Sequence, residues 1–478
     1  MNLDIDHLEE YLAAVCDLIV DYRERLAEDP VVPQIDYPHL FEQIHHTLPR
    51  TATPIEEVLE DVEQTIIPFC TKVGHPRFLA WMNNSSSAAG ILGEILNVGL
   101  SQVPFMYKGG PAATVLEDIV VQWYGQLFGF PEGHGGTLVS GGMVANLTAL
   151  TVAREIHGDM IMRKGLQGSH APLTLYISEQ GHSSIERAVG ILGLGIDHIR
   201  KIPTDSSFKM QVDALRHQLD QDIAAGCRPF CVVAQAGAAN TGVIDPLPEV
   251  AQICADYHLW MHVDAAYGGG AILTSTGKEK LKGIELADSI TTDPHKWFFM
   301  PVEAGLILIR DRESLYRTFN GSACQSYKGP LDDQNYLNFG IQYARTSRAL
   351  KIWFALRVYG LERISACVEQ TLILAQQLKA RLESSACWEI LHPVELSILC
   401  CRYIPQTGTY DDEVLNSLQY AIVEKLETSG KALLTPAVIN GKVGIRICFA
   451  NHKTTAEDVD ILFDALMQTA ETLGHFVR

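Results

Sequence analysis

The sequence has no run approaching the ~18 consecutive apolar residues that a membrane span requires. Its first ten residues, MNLDIDHLEE, are acidic and lack the basic start of a secretory signal, so neither a membrane anchor nor export is expected. Positive charge is scarce: 37 Lys and Arg stand against 57 Asp and Glu, giving a formal net charge of −20 and a pI near 5.3. A surface of that sign excludes nucleic acid or an anionic membrane as the main partner. The 11 cysteines form no C-x-x-C pair and have no histidine pair at zinc-ligand spacing, so no metal site is expected. Such an odd, scattered set reads instead as buried apolar thiols in a reducing compartment, and the expected location is cytoplasmic. No internal repeat is visible.

Apolar residues, by contrast, are plentiful: 47% of 478, enough for a large core spread over two or three subdomains. Leu8, Tyr11, Leu12, Val15, Ile19 and Tyr22 recur at helical spacing, which predicts an amphipathic helix over 7–28. Pro30, Pro33 and Pro38 end it, and its apolar stripe needs a partner. Over about 85–310, short apolar strand patterns alternate with helical ones. That alternation predicts an α/β unit, a mostly parallel central sheet with helices on both faces. From Leu350 the pattern becomes a smaller α+β one. Leu374, Leu378 and Leu382 mark a helix, while Leu396, Ile398, Cys400 and then Val443, Ile445, Ile447 alternate as strands. Thr454-x-x-Glu457 reads as a capping box opening the last helix. The expected divisions are an N-terminal helical segment (1–84), a large domain (85–349) and a small C-terminal domain (350–478).

The chemistry gathers at strand ends. Leu259 to Val263 is an apolar run ending at Asp264, within HVDAAYGG, and Ser289 to Thr292 is a second ending at DPHKW, which carries Lys296. Two buried strands thus deliver a carboxylate and an amine to their carboxyl ends, where open α/β sheets bind ligands. A buried lysine loses its proton readily and attacks a carbonyl, and a carboxylate holds a heterocyclic nitrogen protonated. Pyridoxal phosphate needs that pair, although two charges at strand ends, taken alone, read first as structural or solvated. Ser140-Gly141-Gly142 follows a short strand and precedes Met143, Leu147 and Leu150 at helical spacing, so free N–H groups and a helix dipole meet at a glycine-lined turn. His182 follows the strand pattern Leu173 to Ile177, and by itself reads as a satisfied structural histidine. The segment GHPRFLAWMNNSSS, 74–87, is too polar for ordinary core, and 320–340 carries turn residues without apolar periodicity, as mobile lids do.

HVDAAYGG followed thirty-two residues later by HKW resembles the group II amino-acid decarboxylases, pyridoxal-phosphate enzymes of the aspartate-aminotransferase-like fold (fold type I). The resemblance runs from about His75 to about Arg446. It implies that Lys296 binds the cofactor covalently, that Asp264 pairs with the pyridine nitrogen and that His182 stacks on the ring. Ser140, Gly141 and Gly142, with His295, would hold the phosphate. Tyr336, seventeen residues before Trp353, would come from the neighbouring subunit of a homodimer with shared active sites and return a proton to Cα. Arg77, Phe78 and Trp81 would line the substrate pocket, with Arg446 near its mouth. Two departures stand out. Ala238 and Ala239 occupy places where the family has hydroxyl residues, leaving Asn240 or Thr241 as replacement donors, and Asp293 stands where the animal aromatic enzymes have Asn. The implied reaction is conversion of an L-amino acid to its amine and carbon dioxide. Phe78 and Trp81 favour an aromatic side chain, and Arg77 an acidic one such as that of glutamate. A transaminating or aldehyde-forming outcome is disfavoured by Tyr336, and a catalytically silent scaffold by the presence of Asp264, His182 and Lys296 together.

Overall fold

The computed structural model describes residues 5–45, 47–82, 85–158, 160–167, 171–320 and 334–475. Its main sheet contains β1 (Gly135–Val139), β2 (Leu173–Ser178), β3 (Ile199–Ile202), β4 (Arg228–Gln235), β5 (Trp260–Asp264), β6 (Ser289–Thr292) and β7 (Gly305–Ile309). The spatial order is β1-β7-β6-β5-β4-β2-β3, parallel throughout except that β7 runs against both β1 and β6. The central strands are unbroken apolar runs because both faces are covered. Along β4, Val232 and Ala234 join one core with Val120 and Tyr124, while Cys231 and Val233 join another with Ala149 and Ile185. The mostly parallel sheet with helices on both faces is therefore present as the alternation predicted.

Eight helices frame the site: α1 (Leu8–Glu24), α2 (Ala88–Leu100), α3 (Pro111–Leu127), α4 (Gly142–His157), α5 (Ser183–Ile191), α6 (Ala349–Glu383), α7 (Asp412–Thr428) and α8 (Ala456–Gly474). Helix α6 kinks at Gly360, whose φ of 67° an L side chain rarely adopts. Its residues up to Leu372 pack in the core of the main sheet, and from Leu374 onward they pack against a second, antiparallel sheet. That sheet comprises β8 (Trp388–Ile390), β9 (Ile398–Tyr403), β10 (Thr435–Ile439) and β11 (Lys442–Cys448), in the order β10-β11-β9-β8.

Two local readings shift. The capping box of α8 is built one residue later than expected, by Thr455 and Asp458. Thr454 instead donates its hydroxyl to the carbonyl of Pro76, and so fixes the segment leading to Trp81. Asp458 has a further duty, because the Arg77 guanidinium lies 2.7 Å from its carboxylate. Among the described residues no helix is long and apolar enough to cross a membrane.

Candidate active site

The adjacent ends of β4, β5 and β6 carry the site. Asp264 lies in register with Gln235 on one side and Thr291 on the other, and Lys296 follows on the loop after β6. An inner cavity of about 110 Å³ is lined by Asp264, Lys296, His182, Asn146, Gln235, Tyr267, Met82 and the start of α4. It adjoins an outer cavity of about 530 Å³ walled by Trp81, Met82, Asn240, Thr435, Pro436 and Arg446.

A chain of hydrogen bonds fixes Asp264. Trp260 donates its indole N–H to Ser289 Oγ (2.8 Å), and that hydroxyl lies 2.8 Å from His262 Nδ1. Burial pulls the His262 pKa down to about 4, so the ring is neutral. Its Nε2 lies 3.0 Å from the Asn146 carbonyl oxygen, which needs a donor. Every link is satisfied when Ser289 donates to Nδ1 and Nε2–H donates to Asn146. The Asn146 amide is thereby oriented to donate to Asp264 Oδ2 at 2.9 Å and to Ser184 Oγ at 3.0 Å. The other Asp264 oxygen accepts from the Ala266 N–H at 3.1 Å.

His182 caps the N-terminus of α5. Its Nδ1 accepts from the Ser184 N–H at 3.2 Å and faces Ser184 Oγ at 2.8 Å, so the imidazole proton resides on Nε2. The Ser140-Gly141-Gly142 turn leads into α4, whose first N–H groups have no side-chain cap. The approach is close here: a Cβ on Gly142 would lie 3.0 Å from Asp293 Oδ2, so Asp293 would have to give way by a few tenths of an ångström. A Cβ on Gly141 would lie 3.2 Å from the His295 ring. His295 Nδ1 accepts from the Ala304 N–H at 3.0 Å, and burial lowers its pKa.

Lys296 is not the readily deprotonated amine expected from burial. Burial does push its pKa down, but Asp293, whose carboxylate lies 2.9 Å from Nζ, and more weakly Asp264, outweigh burial, and the net shift is upward. Asp293 itself is 1% exposed.

Two further expectations require correction. Arg77 lies outside both cavities: its guanidinium is committed to Asp458 and to the carbonyl of Lys431. Phe78 is 1% exposed, packed with Val31, Ala80 and Leu433, and its backbone bridges Leu433 just before β10. Trp81 does line the outer cavity, but Met82, one residue on, is the side chain of this segment that reaches both. Tyr336, expected to serve the neighbouring subunit's site, sits in a 3-10 turn of its own chain and is 3% exposed, its hydroxyl donating to Asp118 at 2.8 Å. The rest of the predicted lid, 321–333, lies outside the described residues. Of the replacement donors, Asn240 lines the outer cavity, whereas Thr241 is buried and accepts from the Val243 N–H. Sequence reasoning missed Asn146, Gln235 and His262. The available signals were an amide inside an apolar helix and a histidine two residues before Asp264 on the same strand face.

Residues 38–404 match the family described as "Pyridoxal-dependent decarboxylase conserved domain". The chain belongs to this family. It is 33% identical to an aromatic-L-amino-acid decarboxylase of Bacillus atrophaeus over 96% of this chain and 94% of that one. Catharanthus roseus tryptophan decarboxylase, solved in complex with L-tryptophan, superposes with a TM-score of 0.91 at 26% identity, covering 99% of this chain and 100% of that chain. Mouse CSAD superposes with a TM-score of 0.92, also at 26% identity, covering 98% and 99%. The chain is a pyridoxal-phosphate-dependent amino-acid decarboxylase of fold type I, a carboxy-lyase. The decarboxylase's own residues fit the cofactor: Gln235 Nε2, a donor beside the inner cavity, has no protein partner among the described residues. The uncapped amides of α4 supply a seat for phosphate at the same cavity.

Proposed function

We propose that this enzyme decarboxylates an aromatic L-amino acid. The observation that carries this reading is the composition of the outer cavity: Trp81, Met82 and Pro436 wall it, while Arg77, the residue that favoured an acidic substrate, is held away by Asp458. Among the described residues lining the two cavities, Arg446 and Lys296 are the cations. Arg446 donates to the carbonyls of Ala239 (2.8 Å) and Trp81 (3.0 Å), which aims it across the outer cavity as a fixed partner for the substrate carboxylate.

In this reading Lys296 holds the cofactor covalently, and the α4 amides with Gly141, Gly142 and Ser140 seat its phosphate beside His295. Asp264, pinned by Asn146 and the Ala266 N–H, holds a proton on the pyridine nitrogen. When bound, pyridoxal phosphate supplies an electron sink for the pair released as carbon dioxide departs. His182 lines the cavity with Nδ1 tied to Ser184, which would leave its Nε2–H to donate a hydrogen bond and orient the ring. The apolar side chains left exposed on α1 (Leu8, Leu12, Val15) and α2 (Leu92, Leu96, Leu100) support a homodimer that covers them.

A carbon-dioxide release assay across the common amino acids, with dihydroxyphenylalanine and cysteine sulfinate added, tests the substrate. Turnover of tryptophan, tyrosine, phenylalanine or dihydroxyphenylalanine is expected. Turnover confined to acidic amino acids overturns the aromatic reading and leaves the family assignment intact.

A further inference from the structure

We propose that Asp293 is a positioning residue for Lys296: in the cofactor-free protein its carboxylate holds the lysine ammonium beside the inner cavity, and so sets the pH at which the lysine nitrogen becomes free to react. The proposal rests on the reading of Lys296 as the attachment point.

The geometry is specific. Asp293 Oδ2 lies 2.9 Å from Lys296 Nζ within one short loop, with Asp293 almost fully buried. The loop is braced at both ends, because the Asp293 N–H donates to the Ala266 carbonyl and the Lys296 N–H donates to the Asp293 carbonyl. Asp293 Oδ1 is buried with no hydrogen-bond partner among the described residues, so the carboxylate has no stronger competitor for its charge than this ammonium. An unpaired carboxylate at this depth is costly, and one facing the start of α4 occupies ground that an anion would otherwise take.

The other titratable groups around the pair come from four elements. Asp264 at the end of β5 reinforces the lysine charge, as does Cys448 at the end of β11. His295 on the same loop is neutral by burial, His182 at the start of α5 lines the inner cavity, and Arg446 on β11 faces the outer one. Asp293 is the carboxylate in hydrogen-bond contact with Nζ, and so dominates.

Attachment of an aldehyde then requires a defined sequence. The ammonium gives up one proton, the neutral nitrogen forms a bond to the aldehyde carbon, and the aldehyde oxygen leaves as water. A carboxylate that favours the ammonium delays the first event and moves it to higher pH.

The test uses the full-length chain stripped of cofactor, with pyridoxal, which lacks the phosphate, as probe. The rate of capture is followed by absorbance from pH 5 to 10, and the product is trapped with borohydride and mapped. In the wild type the rate should climb with pH. In Asp293→Asn the same rise should occur roughly one to three pH units lower, making capture at pH 7 at least about tenfold faster. Asp293→Ser serves as a second neutral variant should Asn disturb folding, and Asp293→Glu should keep the wild-type midpoint. Pyridoxal separates this effect from relief of repulsion against a phosphate, since the probe carries none. A label on Lys296 with an unshifted profile, or with capture slowed at every pH, overturns the proposal. A wild-type label on a different lysine instead sinks the attachment reading beneath it.

Discussion

Replacing Asn146 by Leu tests whether the buried chain from Trp260 to Asp264 acts as one unit. The substitution keeps the volume but removes three polar contacts: two donated by the Asn146 amide, to Asp264 and to Ser184, and one accepted from His262. Loss of the bond to a charged carboxylate costs about 1.5–3 kcal/mol, and the stranded His262 N–H, fully buried, costs about 1–3 kcal/mol more. A loss of roughly 3–5 kcal/mol in unfolding free energy is expected from urea denaturation of the cofactor-free protein. His262→Phe alone leaves the Asn146 carbonyl and the Ser289 hydroxyl short of a partner, for about 1–3 kcal/mol. The two changes share the His262–Asn146 bond, so the double variant should fall short of the summed losses by about 1–2 kcal/mol. Asn146→Leu should also weaken pyridoxal phosphate binding, because Asp264 loses one of the two donors that aim it. Losses that add to within about 0.5 kcal/mol would refute the idea of a connected chain.

Acid should destabilise the fold through buried histidines. Burial depresses His75, His262 and His452 to about 4 each, so between pH 6.5 and 4 the unfolded chain binds more protons and stability falls as pH falls. Asp245, raised by burial to about 6, works the other way below that pH and cancels one of the three. The net slope is about 1–3 kcal/mol per pH unit, and a flat unfolding free energy over this window would contradict the burial of these rings. Arg77→Ala should cost about 1–3 kcal/mol by leaving Asp458 Oδ1 without its guanidinium partner, yet leave the ranking of substrates unchanged; a switch of preference in the carbon-dioxide assay would return Arg77 to the site. Tyr336→Phe should cost about 0.5–1.5 kcal/mol by removing one donor from the half-buried Asp118, and an unchanged urea midpoint would mean that Tyr336 is not seated there in solution.

The groups legible in the sequence were those whose position follows from one strand and its next turn. Asp264, Lys296 and the Gly141-Gly142 turn sit where continuous apolar runs stop, and a two-residue period with a carboxyl-end rule is enough to place them. Arg77 and Phe78 were misplaced for the complementary reason. Their direction is set by Leu433, Lys431 and Asp458, more than three hundred residues away, and no local spacing encodes that pairing. Once residues 77–79 are stitched to the C-terminal sheet, the chain leaves that sheet at Trp81, whose φ is 48°, and Met82 rather than Phe78 meets the inner cavity. The same logic explains Lys296. Burial was inferable from its strand, but the sign of its shift depends on which carboxylate wins, and Asp293 wins because a three-residue turn brings its Oδ2 to 2.9 Å while Asp264 is already held by Asn146 and Ala266. Asp293, the residue that departs from the Asn of the animal aromatic enzymes, is in the folded chain the counter-charge of the lysine, so cofactor capture and lysine ionisation are coupled through one carboxylate at the start of α4.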